Sequence, residues 1–324
     1  MRNYVVIVGH GRSGSNRLLD TLDCHEATFC RNEPNELQGA VMAALEDGFF
    51  EDRLSPDFQR HWRASIARAA ARCSGKDRFD ACRKVYHAFP YSDRVGAYIF
   101  KRRRLRLALG LVVRDMKKEE WETAAFHIDQ AALRRATPVF KILLNPGWLT
   151  RTHEDDENQR VIHNIRNPVA FLKSWRNRYV TPTGPEKVYR DNLETLDLVL
   201  AAFGRPRWSV PAFSEEALFE TELWRWRYVN EALYSALNGS PRYMVTRYED
   251  YDDDPKAIAR AVYAFAGLQF EQKHAERISE MENTLFGDAP RPAEIKIDME
   301  PILERVLADS PLLDLMSSTV SGSQ

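Results

Sequence analysis

Residues 4–22 read YVVIVGHGRSGSNRLLDTL, an apolar run that meets a glycine-rich loop and then a helix-like stretch. Tyr4–Val8 are apolar and mostly β-branched, as in a strand that is buried on both faces of a parallel sheet. Leu18, Leu19 and Leu22 follow with helical spacing. A loop between such a strand and a helix presents backbone N–H groups and the positive end of the helix dipole to an anion. The stretch therefore predicts an α/β fold with an anion-binding loop.

The loop lacks two side chains that bind ATP or GTP in loops of this shape. Those loops end in a lysine for the β- and γ-phosphates and a hydroxyl residue for magnesium. Ser15 and Asn16 stand at these positions, and Arg12 brings a positive charge into the loop instead. We therefore expect a phosphate-bearing ligand that binds without a metal, with Ser13 as a further donor. The alternative is a glycine turn that joins strand and helix and binds nothing.

Strand-like and helix-like segments alternate along most of the chain. Further strands are predicted at 137–144, 160–166 and 242–248. Helices are predicted at 36–48, 57–73, 117–136, 214–238 and 252–268, with another opened by Asn167-Pro168. This order favours a P-loop-type three-layer α/β fold, in which helices flank a central parallel sheet and residues 36–136 form a largely helical cap. We expect one domain over residues 1–310 and a loose, Ser-rich tail over 311–324.

The balance of charge gives no reason to expect a nucleic-acid partner. The chain has 324 residues, with 46 Lys and Arg against 47 Asp and Glu. The densest basic run, Lys101–Arg106, has the pattern of a solvated face, and attraction of an anionic substrate is the alternative.

Cys24, Cys30, Cys73 and Cys82 have no metal-binding spacing, so we expect reduced thiols. The absence of a leader or a membrane-length apolar run favours a cytoplasmic protein with no membrane span.

A second candidate phosphate site lies in residues 160–175, RVIHNIRNPVAFLKSW. A predicted strand ends in Arg166, Pro168 opens a helix, and that helix carries Ser174. A phosphate group suits a fixed guanidinium and a hydroxyl that converge from a strand end and a helix face. Taken alone, the pattern also fits a surface arginine and a serine with a local hydrogen bond.

The two motifs together resemble the sulfotransferases that use 3′-phosphoadenosine-5′-phosphosulfate (PAPS). Arg12-Ser13-Gly14-Ser15 resembles the loop that cradles the 5′-phosphosulfate in this family, and Arg166 with Ser174 resembles its 3′-phosphate motif. The resemblance implies PAPS as co-substrate, 3′,5′-ADP (PAP) as product, and no metal. The cofactor ligands that it implies are Gly11, Arg12, Ser13, Gly14, Ser15, Asn16, Arg17, Arg166, Ser174 and Tyr248.

Two parts of the resemblance leave alternatives open. Asn16 and Arg17 depart from the family's usual hydroxyl and aromatic residues, so the contacts of these two side chains are the least specific. Residues 243–268 resemble a late strand and helix of the family. Tyr248 stands there at the position of an adenine contact, and packing of a helix on the sheet is the other role that fits.

The candidate general base lies in residues 24–36, CHEATFCRNEPNE. Glu33-Pro34 resembles the carbohydrate branch of the family, in which a strand after the first helix ends in Glu-Pro and the glutamate is the base. A carboxylate at such a strand end works as a base if partial burial raises its affinity for a proton. An exposed loop carboxylate is the alternative reading of Glu33, and Glu36 is the nearby substitute.

Other side chains have supporting or weaker claims on the chemistry. Arg12 is expected to neutralise charge on the leaving phosphate. Lys141 resembles a basic residue of the carbohydrate branch and is expected to face the sulfonate or the leaving phosphate, or else to be a strand-edge lysine. The histidines with weaker claims are His10, expected to shape the loop, His25, expected to face outward, and His87 and His127, which match no family motif.

The leading interpretation is a PAPS-dependent sulfotransferase that acts in line on a hydroxyl of a carbohydrate or small metabolite. A P-loop kinase for a small molecule is the second candidate, but it needs a lysine and a magnesium ligand that the loop lacks. A non-catalytic nucleotide-binding module on the same fold is the third. The segments expected to bind the acceptor carry no motif, so the sequence leaves the acceptor and the oligomeric state open. Trp224 and Trp226 are expected in the core rather than on a sugar platform.

Overall fold

The computed structural model describes residues 3–33, 72–74, 84–86, 120–122, 129–144, 146–209, 212–285 and 294–317. The strands in these parts are β1 (Tyr4–Val8), β2 (Thr28–Asn32), β3 (Arg72–Ser74), β4 (Glu120–Glu122), β5 (Thr137–Lys141), β6 (Gln159–Ile165) and β7 (Tyr243–Arg247). The helices are α1 (Ser15–Asp23), α2 (Gln130–Leu133), α3 (Pro146–Asp155), α4 (Pro168–Trp175), α5 (Thr181–Thr183), α6 (Pro185–Ala202), α7 (Glu215–Leu237), α8 (Asp250–Asp253), α9 (Pro255–Ala266), α10 (Gln272–Leu285), α11 (Glu300–Leu307) and α12 (Leu312–Ser317). A π-helix, Arg176–Val180, joins α4 to α5.

Strand β1 lies at the centre of a parallel sheet. In the described part of the chain this sheet has five strands in the order β2-β5-β1-β6-β7. Val6 of β1 stands opposite Phe140 of β5 and Val161 of β6. The predicted central parallel sheet is therefore confirmed, and the carboxyl ends of its strands lie along one edge.

Helices cover both faces of the sheet, and the side chains of β1 alternate between them. Tyr4, Val6 and Val8 pack in one apolar cluster with residues of α3 and α7. Val5 and Ile7 pack in the opposite cluster with residues of α1 and α9. Because each face of β1 meets a helix layer, none of its side chains faces water, and this explains the unbroken apolar sequence.

A further apolar cluster joins helices α4, α6, α7 and α11. Trp224 and Trp226 of α7 belong to it and are buried. The expectation that these tryptophans lie in the core is therefore confirmed.

The predicted helices at 57–73 and 117–136 are wrong at residues 72–73 and 120–122, and the second prediction is confirmed at Gln130–Leu133. Arg72–Ser74 and Glu120–Glu122 are strands that pair with each other in an antiparallel ladder. The first helical residue described after this ladder is Gln130 of α2. Helix propensity is a weak preference, and a strand pairing between segments distant in sequence overrides it here. The rest of the expected helical cap, including the predicted helix 36–48, lies outside the described residues.

The expected loose tail is also wrong at its beginning. Residues Leu312–Ser317 form α12, and Leu312 is buried in the same cluster as α11. An apolar side chain that is removed from water holds this segment on the fold. Residues 318–324 lie outside the described part of the chain.

The helix that carries Ser174 begins with a capped turn, as the Asn167-Pro168 pair predicts. The Asn167 side-chain oxygen accepts hydrogen bonds from the Val169 and Ala170 backbone N–H groups at 3.0 and 3.2 Å. Pro168 occupies the first helical position, where its lack of an N–H costs nothing. The cap fixes the start of α4 beside the end of β6.

Replacing Asn167 by alanine is expected to lower the free energy of unfolding by about 1 kcal/mol, because two N–H groups lose their acceptor. Asn167→Asp keeps an acceptor oxygen and is the matched control, with a smaller expected loss. Urea unfolding followed by circular dichroism measures both variants. Equal losses in the two variants would contradict the assigned capping role.

Candidate active site

The glycine-rich loop, residues 9–14, leaves β1 in a backbone conformation that favours glycine. Gly9 has φ 147° and Gly14 has φ 90°. A Cβ atom at Gly9 would lie 2.5 Å from the Asn164 carbonyl oxygen, and one at Gly14 would overlap the Tyr248 ring. The loop is thus held closely between the end of β6 and the residue that follows β7.

Asn164 of β6 anchors the loop, and sequence reasoning missed it. Its amide nitrogen donates to the Ser13 carbonyl oxygen at 2.7 Å, and its amide oxygen accepts from the Thr246 hydroxyl at 2.8 Å. All three residues are buried. The signal in the sequence is a polar residue within the predicted strand 160–166, since a buried amide needs specific partners.

The structure brings the two predicted phosphate motifs together. The Arg12 Nε atom donates to the Ser174 hydroxyl at 3.1 Å, although the residues are 162 positions apart. A guanidinium nitrogen of Arg166 donates to the Arg12 carbonyl oxygen at 3.3 Å. Arg12, Arg166 and Ser174 therefore lie in one group at the carboxyl edge of the sheet.

Arg166 is a half-buried cation with no carboxylate partner among the described residues. Its guanidinium lies 4.1 Å from the centre of the Tyr248 ring. Its Nε atom is buried without a hydrogen-bond partner, and neither Arg166 nor Arg12 forms an ion pair within the described residues. Burial lowers the pKa of Arg166, although an arginine stays protonated in water. A cation that has lost water contacts without gaining a carboxylate is well suited to an anionic ligand.

Other groups of the loop also lack partners in the part of the chain that the structure describes. The Ser13 hydroxyl oxygen is buried and has no hydrogen bond to a described residue. Ser15 begins α1, and the first N–H groups of a helix have no acceptor within it. Buried donors at a helix N-terminus beside two arginines form a site for a phosphate or a sulfate ester. The residues present fit the anion that the sequence predicts.

Glu33 and Lys141 meet beside the loop. The Lys141 ammonium nitrogen lies 2.7 Å from a carboxylate oxygen of Glu33 and donates to the Asn16 side-chain oxygen at 2.6 Å. Lys141 is 3% exposed, and Glu33 follows β2 with φ 51°. A glutamate with positive φ is uncommon and often marks a functional site. The structure therefore places these two of the three predicted catalytic side chains next to the phosphate loop.

Arg17 is bound by carboxylates rather than left for a ligand. Its guanidinium nitrogens donate to Glu282 at 2.6 Å and to Asp252 at 2.7 Å, and also to the Tyr251 carbonyl oxygen. Burial alone would lower the pKa of Arg17, but the bonds to the two carboxylates outweigh it and raise the pKa. A phosphate would have to displace these acceptors, so we do not retain Arg17 as a cofactor ligand.

The expectation that His25 faces outward is wrong. His25 is buried and stacks on His274, and the two rings form a potential metal-binding group with Glu26. His25 accepts the Ala27 N–H and donates to the Gln269 carbonyl, while His274 accepts the Glu271 N–H and contacts Glu26. All four ring nitrogens are engaged in protein hydrogen bonds, so this group has no free ligand atom for a metal on its rings. It links α1 to α10 instead.

Three of the weaker candidates lie outside the described residues. These are Glu36, His87 and His127. The basic run 101–106 lies outside them as well.

The sequence model described as "Sulfotransferase family" matches residues 4–272. This match spans more than half of the chain, so the chain belongs to the sulfotransferase family. The expectation of a PAPS-dependent sulfotransferase is thereby confirmed at the level of the family. A search among curated proteins found no match.

Similar solved structures are distant from this chain in sequence. The sulfotransferase STF9 from Mycobacterium avium has 13% identity and a TM-score of 0.48, and the alignment covers 99% of this chain and 79% of that one. A sulfotransferase from Alicyclobacillus acidocaldarius has 13% identity and a TM-score of 0.40, with coverages of 87% and 91%. Retinol dehydratase in complex with retinol and PAP has 13% identity and a TM-score of 0.37, with coverages of 96% and 83%. At these TM-scores the likenesses carry no argument about the site.

The helices of the described residues were compared with the requirements for crossing a membrane. None of these helices combines the length and the apolar character that crossing a membrane requires.

Substituting alanine for Gly14 is expected to destabilise the protein by about 1–3 kcal/mol, because the position combines positive φ with contact to Tyr248. Gly11→Ala is the matched control, since its Cβ atom would meet only the Tyr179 hydroxyl at an ordinary 3.7 Å. Thermal unfolding of both variants measures the difference. A Gly11→Ala loss as large as that of Gly14→Ala would contradict the assigned loop geometry.

Proposed function

We propose that this protein transfers the sulfuryl group of PAPS to a hydroxyl of a carbohydrate or a small metabolite, without a metal. The observation that carries the proposal is the convergence of two arginines, Arg12 and Arg166, on one phosphate loop, where neither has a carboxylate partner among the described residues. Membership of the sulfotransferase family supports the reaction type. The carbohydrate preference rests on the resemblance of Glu33-Pro34 alone.

The loop is the proposed site for the 5′-phosphosulfate of PAPS. Its backbone N–H groups and the buried hydroxyls of Ser13 and Ser15 are the donors, together with the side chain of Arg12. Gly11 and Gly14 allow the backbone to approach the ligand closely. Asn16 contributes its N–H, since its side-chain oxygen already accepts from Lys141.

Arg166 and Ser174 are the proposed ligands of the 3′-phosphate. The Ser174 hydroxyl accepts a hydrogen bond from Arg12, which supports adjacent sites for the two phosphates. Tyr248 lies under the Arg166 guanidinium and against Gly14. We therefore assign Tyr248 to positioning Arg166, which favours the packing role over an adenine contact.

Glu33 is the proposed general base. PAPS supplies an activated sulfuryl group, whose S–O bond to the phosphate breaks as a bond to the acceptor oxygen forms. Glu33 accepts the proton that the acceptor hydroxyl loses. Lys141 fixes the position of the Glu33 carboxylate through their 2.7 Å contact. Arg12 neutralises the charge that develops on the leaving phosphate oxygen.

Arg166→Ala is expected to weaken PAP binding by roughly 10- to 100-fold, because a charge-assisted bond to the 3′-phosphate is lost. Calorimetric titration with PAP in the absence of metal measures the loss. Arg160→Ala is the matched control, since this arginine lies at the start of the same strand and donates to the Phe265 carbonyl. Its PAP affinity is expected to equal that of the wild type.

A parallel titration with ATP and magnesium tests the kinase alternative. ATP binding that requires magnesium, with no heat from PAP, would contradict the proposed donor and favour a kinase. PAP binding of equal strength in the wild type and Arg166→Ala would contradict the proposed 3′-phosphate site.

Glu33→Gln is expected to lower the rate of sulfuryl transfer by about 100- to 10,000-fold while PAP binding stays within about threefold of wild type. The assay follows transfer from labelled PAPS to the acceptor that a screen of carbohydrates and small hydroxyl compounds identifies. Transfer that survives in Glu33→Gln would assign the base elsewhere. PAP binding by the wild type without transfer to any acceptor would favour the non-catalytic module.

A further inference from the structure

A histidine and a glutamate face each other beneath the phosphate loop, and the reaction proposed above uses neither. His10 follows Gly9 in the loop, and Glu222 lies on α7. The His10 Nε2 atom is 3.4 Å from a carboxylate oxygen of Glu222. His10 is 3% exposed and Glu222 is 1% exposed, so both side chains are shielded from bulk water.

The hydrogen-bond geometry determines where a proton can be. The His10 Nδ1 atom lies 3.2 Å from the Gly11 carbonyl oxygen, which can only accept, so Nδ1 carries a hydrogen. A neutral His10 then presents the lone pair of Nε2 to Glu222. An ionised Glu222 presents a second lone pair, and two acceptors do not form a hydrogen bond. The pair is satisfied when one proton lies between Nε2 and the carboxylate.

Few other charges act on this pair. Arg225, on the same helix as Glu222, donates to the second Glu222 oxygen at 3.1 Å and to Asn192 of α6 at 2.7 Å. From α4, the apolar ring of Phe171 packs on His10, edge to face at 4.8 Å between ring centres. Among the described residues, Arg225 is the charged group that faces the pair from outside it.

The proton affinities of the two groups agree with this arrangement. Burial, with a smaller contribution from Arg225, lowers the pKa of His10 to about 3. Burial raises the pKa of Glu222 to about 7, against the opposing effects of Arg225 and of a hydrogen bond from the Asn192 side chain. At neutral pH His10 is therefore neutral, and Glu222 is partly protonated.

We propose that His10 and Glu222 are positioning residues of the phosphate loop, and that binding of a polyanion to the loop draws a proton onto this buried pair. The inference rests on the proposed function only in its choice of ligand, a nucleotide with two phosphate groups. A negative charge on Glu222 lies in a medium of low dielectric next to the anion site, where it opposes binding. Protonation removes that charge and restores the bond that orients His10 and, through Nδ1, the Gly11 carbonyl.

Linkage fixes the direction of the effect. If binding of the anion favours the protonated pair, protonation favours binding of the anion by the same factor. PAP affinity should therefore be greatest below the pKa of Glu222 and should fall as the pH rises through about 7. A purely structural pair would affect stability without this dependence.

The test is calorimetric titration of PAP at pH 7 in buffers with different enthalpies of ionisation. The dependence of the heat on the buffer gives the number of protons taken up. Glu222→Gln is the key variant, because its amide is uncharged and can donate to His10 Nε2. The protons of the PAP phosphates are common to both proteins and cancel in the difference. We expect the wild type to take up about a third of a proton more than the variant.

A second arm follows PAP affinity between pH 6 and pH 8.5. We expect the affinity of the wild type to fall about fivefold further than that of Glu222→Gln over this range. Glu231→Gln is the matched control, since Glu231 lies on the same helix and pairs with Arg227 at 2.8 Å, away from the loop. Its proton uptake is expected to equal that of the wild type.

A third measurement needs only the wild type. With ¹³C-labelled glutamate, the infrared difference spectrum on adding PAP should gain a band from a protonated carboxyl group. This arm remains available if Glu222→Gln does not fold.

The outcomes separate the two proposals. No PAP binding to the wild type would contradict the proposed function. PAP binding with equal proton uptake in the wild type and Glu222→Gln would overturn the role of the buried pair and leave the proposed function standing. Absence of the carboxyl band in the labelled wild type would overturn that role as well.

Discussion

The parallel pairing of β1 with β6 is the constraint on which the site depends. Val8 at the end of β1 stands opposite His163, so the two strands end at the same edge of the sheet. The phosphate loop follows the first strand and Arg166 follows the second. Ligands of open α/β sheets bind outside the carboxyl ends of the strands. A shift of this register would separate the two phosphate motifs, whatever their sequences.

The bond from Asn164 to Ser13 makes this register specific. The apolar side chains of the two strands would tolerate other alignments, because burial of an apolar group has no direction. A buried amide that donates at 2.7 Å to one carbonyl of the loop allows only one. The loop is therefore positioned by the sheet as well as by its own glycines.

The pairing of the arginines divides them into two classes with different roles. Arg17 is held by Glu282 and Asp252 and fixes α1 against the C-terminal helices. Arg12 and Arg166 have no such partner among the described residues, and they remain available to an anion. Buried or partly buried cations are normally neutralised by a counter-charge. The unpaired state of the partly buried Arg166 is thus the strongest electrostatic sign of a site for an anionic ligand.

The sequence was sufficient for the local parts of this architecture. Apolar runs such as Tyr4–Val8 identify buried strands, and the glycine loop and the Asn167-Pro168 pair mark the turns that follow them. The positions of Arg166 and Ser174 follow from their spacing within one strand-turn-helix unit. These features depend on neighbours in the chain, which is why they can be read directly.

The features that the sequence did not reveal depend on partners far along the chain. The Lys141 contact with Asn16, the Arg17 contact with Glu282 and the His10 contact with Glu222 each join distant elements. The strand Glu120–Glu122 owes its form to a partner nearly fifty positions away, Arg72–Ser74. Local propensity carries no information about such contacts.

A crystal structure of the protein with PAP is the most direct test of the two proposed phosphate sites. We expect the 5′-phosphate on the N–H groups of the loop and the 3′-phosphate in contact with Arg166 and Ser174. We also expect Arg17 to stay bound to its carboxylates. A nucleotide that binds with its 3′-phosphate away from Arg166, or outside the carboxyl edge of β1 and β6, would contradict both sites.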